Sequence, residues 1–260
     1  MPDEPDEISL VALGAALPAP PAFAGRLEGV RFDPGAPTRF LQASLVDVDF
    51  SGLELTGFFA DGSTFDRCDF SGARLSDGTM SGRPTSSYRD CRFDRARLRF
   101  QAPGLARFER CSFDRAVIDH WDCSHNDFID CTFAGRLRDV TFSGGMTLSL
   151  AHMMRLRPNE FRGNDFSGAK PVATDFIGGI DLDAQKLPSG PGYRRFDTRP
   201  ETVARVEALI PSLADDEREH GRQLVGWLRD GRYAGQLEAF TEWPPVWGWD
   251  LYERLLARLP

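Results

Sequence analysis

A five-residue period constrains this chain more than any other feature. Counting in fives from Phe40 gives Phe40, Leu45, Phe50, Leu55, Ala60, Phe65, Phe70, Leu75 and Met80. The frame slips by three residues across 81–87, then resumes as Tyr88, Phe93, Leu98, Pro103, Phe108, Phe113, Ile118, Cys123, Phe128 and Phe133. None of these nineteen central positions is charged. Two residues before them the side chain is often small, as at Ala43, Ser63, Cys68, Ala73, Cys91, Ala96, Cys111, Ala116 and Cys131. A period of five matches neither the 3.6 of an α-helix nor the 2 of a β-strand. It suits a solenoid in which each repeat turns one corner and only stacked coils make a core.

Four repeats per coil would stack residues twenty apart, and the sequence agrees. One column reads Phe50, Phe70, Phe93, Phe113 and Phe133, and the next reads Leu45, Phe65, Tyr88, Phe108 and Phe128. A third is Leu55, Leu75, Leu98 and Ile118, while the fourth, Ala60, Met80, Pro103 and Cys123, is irregular. Column identity survives the slip, so residues 81–87 read as a loop bulging from a continuous stack. Four of the five cysteines, Cys68, Cys91, Cys111 and Cys131, share one inward column. They read as a ladder of small apolar side chains and not as disulfides or metal ligands.

Segments such as Cys68, Asp69, Phe70, Ser71, Gly72 followed by Ala73, Arg74, Leu75 resemble the pentapeptide-repeat family. Its consensus is a small residue, Asp or Asn, Leu or Phe, then two variable positions. The resemblance covers about Phe40 to Leu182 and implies a mainly β fold, a right-handed quadrilateral β-helix. About six coils are expected, followed by a C-terminal α-helical segment. Asn164, Asp165, Phe166, Ser167, Gly168 and Ala169 repeat the pattern late, so Phe166 is expected to extend the Phe50 column to a sixth rung.

The expected organisation is an N-terminal cap and linker over 1–39, a β-helix over 40–186 with loops at 81–87 and 134–158, and a helical domain over 187–260. Leu27 and Phe32 have the spacing to start a first imperfect coil. The apolar run Ile8–Leu17 is too short to cross a bilayer and lacks the basic flank of a signal peptide. Asp197 or Thr198 can cap a helix with Pro200 in its first turn, and Asp215 can start a second, ending near Gly231. Trp249, Tyr252, Leu255, Leu256 and Leu259 mark a last amphipathic helix, reached through the aromatic link Trp243–Trp249. These helices are expected to cover the open end of the solenoid. Family members use C-terminal helices for a head-to-head homodimer.

The net charge of −8 argues against a broad nucleic-acid-binding surface. Charge also looks banded along the chain, acidic from Ala43 to Asp66, rich in Arg from Arg83 to Arg110, and acidic again from Val117 to Cys131. Two positions after the centre, Asp47, Arg67, Asp90, Arg110 and Asp130 alternate in sign from rung to rung. No phosphate-cradling glycine loop, nucleophile elbow or zinc-protease motif is present. His120, Cys123 and His125 look enzyme-like, but the period sends the histidines outward and the cysteine inward. No catalytic, cofactor or metal site, no membrane partner and no direct nucleic-acid contact are expected, and the reduced cysteines suit a cytoplasmic protein.

The best-known members of the family are acidic rods that imitate DNA and protect type II topoisomerases, DNA gyrase and topoisomerase IV, from poisons. By that resemblance Asp47, Asp61, Asp119 and Asp122 are candidate contacts with a topoisomerase. The alternative is a protein-interaction scaffold or immunity-type partner using the C-terminal domain and the apolar stretch that contains Met146, Met153 and Met154.

Overall fold

The computed structural model describes residues 22–23, 25–33, 38–82, 84–100, 104–145, 158–230, 233, 236–242 and 248–259. Met146, Met153, Met154, most of the expected N-terminal cap and the aromatic link before Gly248 lie outside them. The chain forms a four-faced β-solenoid. On the first face seven short strands stack in parallel, from Arg26–Glu28 through Ser44–Val46 and Thr64–Asp66 to Phe161–Arg162. Their register pairs Leu45 with Phe65, Phe65 with Tyr88, Tyr88 with Phe108 and Phe108 with Phe128. The three-residue slip is therefore absorbed between faces, and the column stays in line. The third face runs from Glu54–Thr56 through Arg74–Ser76 and Arg97–Arg99 to Lys170–Val172. Between these faces lies the second, the Phe50 face, held by isolated parallel bridges such as Asp49 to Asp69 and Asp69 to Arg92.

Rungs spaced by one strand repeat bring identical rings into contact. Along the second face the centroids of Phe50, Phe70, Phe93, Phe113, Phe133 and Phe166 succeed one another at 4.6, 4.8, 4.9, 4.7 and 4.5 Å, with interplanar angles of 7° or less. Phe65, Tyr88, Phe108 and Phe128 form a second stack at 4.6 to 4.9 Å. Tyr88 is fully buried in this apolar column, and its hydroxyl donates to the Met80 carbonyl at 2.7 Å. The irregular fourth column is filled differently. Where Ala60 takes the central position, Phe58 two residues earlier supplies the ring, and Trp121 does the same for Cys123.

Corners alternate with the strands. Two residues after the centre the backbone is left-handed, with φ of 54° at Asp47, 52° at Arg67, 53° at Asp90 and 50° at Arg110. A non-glycine residue there costs roughly 1–2 kcal/mol, so many corners carry glycine, as at Gly52, Gly62 and Gly72. Where an Asp precedes a second-face Phe, it also shapes the corner. Asp49, Asp69 and Asp165 accept the backbone N–H of Ser51, Ser71 and Ser167 at 2.8, 2.8 and 2.9 Å.

Arg26–Glu28 pairs with Ser44–Val46, and Phe32 packs on Phe50 at 4.8 Å, so Leu27 and Phe32 start an imperfect coil ahead of residue 40. Residues 134–143, expected to begin a loop, belong to the strand Thr132–Ser143, which pairs with Ser112–Cys123 as far as Phe142. One residue is missing from this coil, and the register shifts between Asp114 and Ala116. The shortened corner draws Gly135 so close that a Cβ there would sit 2.1 Å from the Ala116 carbonyl oxygen. Only glycine fits.

Beyond the last coil come α1 (Pro200–Leu209), a 3-10 turn (Ile210–Ser212), α2 (Asp215–Asp230) and α3 (Trp249–Leu256). They are joined by an antiparallel pair, Tyr193–Asp197 with Glu238–Glu242. Arg199, not Asp197 or Thr198, is the N-cap of α1, without a side-chain cap bond. Asp197 instead accepts the Arg199 N–H and the Thr202 hydroxyl, each at 2.9 Å. The antiparallel pair meets the end of the solenoid. Phe240 lies edge-on to Phe176 at 5.8 Å, and the Gln236 amide donates to the Phe176 carbonyl at 2.8 Å. Val203, Val206, Leu224, Leu228 and Tyr252 form a separate small core that also takes in Ile177 of the last coil.

Candidate protein-binding surface

Rings and small side chains fill the interior of the solenoid. Cys68, Cys91, Cys111, Cys123 and Cys131 are free and buried. Each of the four in the ladder donates its S–H to a carbonyl of the preceding coil, as Cys91 does to Phe65 at 3.4 Å. Burial pushes the Cys111 and Cys123 thiols well above the ordinary cysteine value.

Of the acids chosen from sequence, two are neutralised by arginines one rung away. Asp47 takes two hydrogen bonds from Arg67, both 2.8 Å. Asp119 takes two from Arg138, at 2.7 and 3.1 Å, and lies 2.9 Å from His120 Nδ1. The Arg138 guanidinium, with His120, holds the Asp119 carboxyl down at about 2. Asp90 and Arg110 repeat the pairing at 2.7 and 2.8 Å. Asp61 is half-buried under Gly82, and Asp122 is exposed and accepts the Ser124 N–H at 2.9 Å. These four acids do not form one surface. Asp119, His120 and Asp139 come close enough to share an ion, but Arg138 already occupies Asp119.

The strand register sorts charge by face, which the linear banding conceals. Flanking the second-face centres are Asp33, Asp49, Asp69, Asp94, Asp114 and Asp165, against Arg31, Arg92 and Lys186. Arg31 bonds to Asp49, and Lys186 lies 3.2 Å from Asp165. On the third face the outward positions carry six bases, Arg74, Arg97, Arg99, Arg136, Arg138 and Lys170, and two acids, Glu54 and Asp119. The signal for this sorting was the twenty-residue column, applied to outward rather than central positions.

The C-terminal unit contributes a groove of about 690 Å³ between α1 and α2, with Ile210 and Val225 in its wall and Arg218, Arg222 and Arg229 around it. The apolar side of α3 is buried within the same chain through Trp249, Tyr252 and Leu255. No helix among the described residues is long and apolar enough to cross a membrane.

Residues 43–82 match the family described as pentapeptide repeats, in eight copies. No curated protein matches the chain. Among solved structures, full-length QnrB1, a plasmid-mediated fluoroquinolone resistance protein, is similar at 19% identity, over 65% of this chain and 92% of its own, with a TM-score of 0.26. HetL, a pentapeptide-repeat protein involved in heterocyst differentiation regulation from the cyanobacterium Nostoc sp. Strain PCC 7120, is similar at 14% identity, over 65% and 90%, with a TM-score of 0.17. Over residues 43–82 the chain carries pentapeptide repeats, and the same coil geometry continues through Phe166 and Phe176.

Proposed function

We propose that this protein catalyses nothing and acts by binding another protein, with a type II topoisomerase as the partner. The observation that carries the binding reading is the sealed axis. From Phe32 to Phe176 contiguous rings fill the coil, so the polar groups are displayed on the outside of a rigid body. A catalytic site needs a displaced titratable group facing a space that a substrate can enter. Asp119 and Asp197 are both held at about 2, but each by an arginine salt bridge. The topoisomerase reading rests on the family resemblance and on the acidic second face, where Asp49, Asp69, Asp94 and Asp114 lie on successive rungs roughly 4.8 Å apart. In this reading the second face, not the four acids chosen from sequence, takes the place of DNA phosphates.

A second reading, a scaffold for an unrelated protein, is favoured by the neutralisation of Asp47 and Asp119, which weakens the imitation of a phosphate backbone. Supercoiling by purified gyrase, titrated with this protein in the presence and absence of a poison, separates the two. Rescue from the poison or inhibition of supercoiling, diminished in Asp69→Asn/Asp114→Asn, is the expected result. No effect on gyrase or topoisomerase IV would remove the topoisomerase and leave the scaffold.

A further inference from the structure

The third face breaks a rule that the rest of the solenoid keeps. Elsewhere an arginine on one rung meets an acid on the next, as Arg67 meets Asp47, Arg110 meets Asp90 and Arg31 meets Asp49. On the third face the register sets acid against base where Glu54 pairs with Arg74 and Asp119 with Arg138, but cation against cation at two other places. Arg74 pairs with Arg97, and Arg136 pairs with Lys170, in adjacent strands roughly 4.8 Å apart. Like charges directly opposite one another in a sheet are destabilising. Arg74, Arg97, Arg99, Arg136 and Lys170 are exposed, as is Arg95 at the preceding corner, and among the described residues none of them has an ion-pair partner. A fold that matches its charges so regularly elsewhere leaves one flat face with half of the ladder missing. Local conflicts of this kind concentrate where a protein is shaped for something other than its own stability.

We infer that the third face is a docking surface for a protein partner that presents carboxylates, Asp or Glu, at strand-repeat spacing. The inference rests on the protein-binding reading but not on the identity of the partner. Two observations select carboxylates over a nucleic-acid backbone. Glu54 and Asp119 sit within the face, where a continuous line of phosphates would meet them and separate carboxylates need not. The guanidinium–carboxylate fork is also the pairing this solenoid already uses, with both bonds formed in Arg67–Asp47 and Arg110–Asp90. A second copy of the same face is a poor occupant, because its excess is also cationic.

The test uses the full chain and two labelled probes, poly-L-glutamate and a short DNA duplex, with binding followed by fluorescence anisotropy at low and at physiological salt. Arg97→Gln/Arg136→Gln is expected to weaken poly-L-glutamate binding at least about tenfold. Arg97→Lys/Arg136→Lys should retain part of it, and Arg162→Gln, on the first face, should leave it unchanged. The substituted side chains are exposed, so the thermal midpoint should hold within a few degrees. If the Gln pair fails to fold, the Lys pair against wild type decides, because a loss of the fork without a loss of charge still weakens binding. Binding indifferent to both pairs would overturn the inference and leave the protein-binding reading intact. No binding of poly-L-glutamate at low salt would also overturn it. Tighter binding of the duplex than of poly-L-glutamate would overturn it in favour of nucleic acid and count against a protein partner as well.

Discussion

At the scale of single residues, aromatic rings set the stability of the coil. Phe93 lies between Phe70 and Phe113 at 4.8 and 4.9 Å and also meets Tyr88 and Phe108 edge-on. Truncation to alanine removes buried area and two stacks at once, and neighbours fixed by the strand register cannot close the gap. Phe93→Ala is expected to cost about 3–5 kcal/mol, read as a fall in the urea midpoint. The inward residues were legible from sequence because each has one structural duty and recurs at the same position. The outward ones were less so. Asp69 looks like a free surface acid in the sequence, yet its carboxylate ties the backbone of its own corner at Ser71. Asp47 looks available to a partner until the register brings Arg67 across.

At the scale of elements, the corners absorb every irregularity. Three added residues are taken up before Tyr88, and one lost residue is taken up at Gly135. A single missing residue displaces the five-residue frame, so the sequence repeat breaks at Gly135 while the strand goes on to Ser143. The clue was Gly135 itself, which only the neighbouring Ala116 backbone explains. Gly135→Ala would drive a methyl group into that backbone. We expect a loss of about 2 kcal/mol or more, measured by denaturant unfolding, with the third-face pairing beyond Ala116 exchanging amide hydrogens faster. The helices were readable from Pro200, from the acidic first turn of α2 and from the apolar spacing of α3. The antiparallel pair was not, because Tyr193–Asp197 finds its partner far along the chain, and five residues of mixed polarity carry little period.

At the scale of the whole molecule, the C-terminal unit closes the solenoid through a strand pair. Phe176 and Ile177 of the last coil lie against Phe240 and the helical core. A chain ending at residue 192 would expose both, together with the unpaired edge of the last rung, and stacked edges recruit other strands. Such a truncation is expected to elute from size exclusion as higher oligomers or to aggregate, whereas the full chain does not. The sequence legibly placed a helical unit after the coils, but not the surface by which it closes them, since that surface is an end of a stack and has no repeat of its own. The sorting of charge has a consequence for how such a rod meets anything. Acids gather on the second face and bases on the third, which share an edge, so the molecule carries a dipole across its width. An approaching charged surface exerts a torque as well as a pull. The rod would roll about its long axis before contact, and orientation, not only attraction, would be chosen at a distance of about a Debye length, roughly 8 Å in physiological salt.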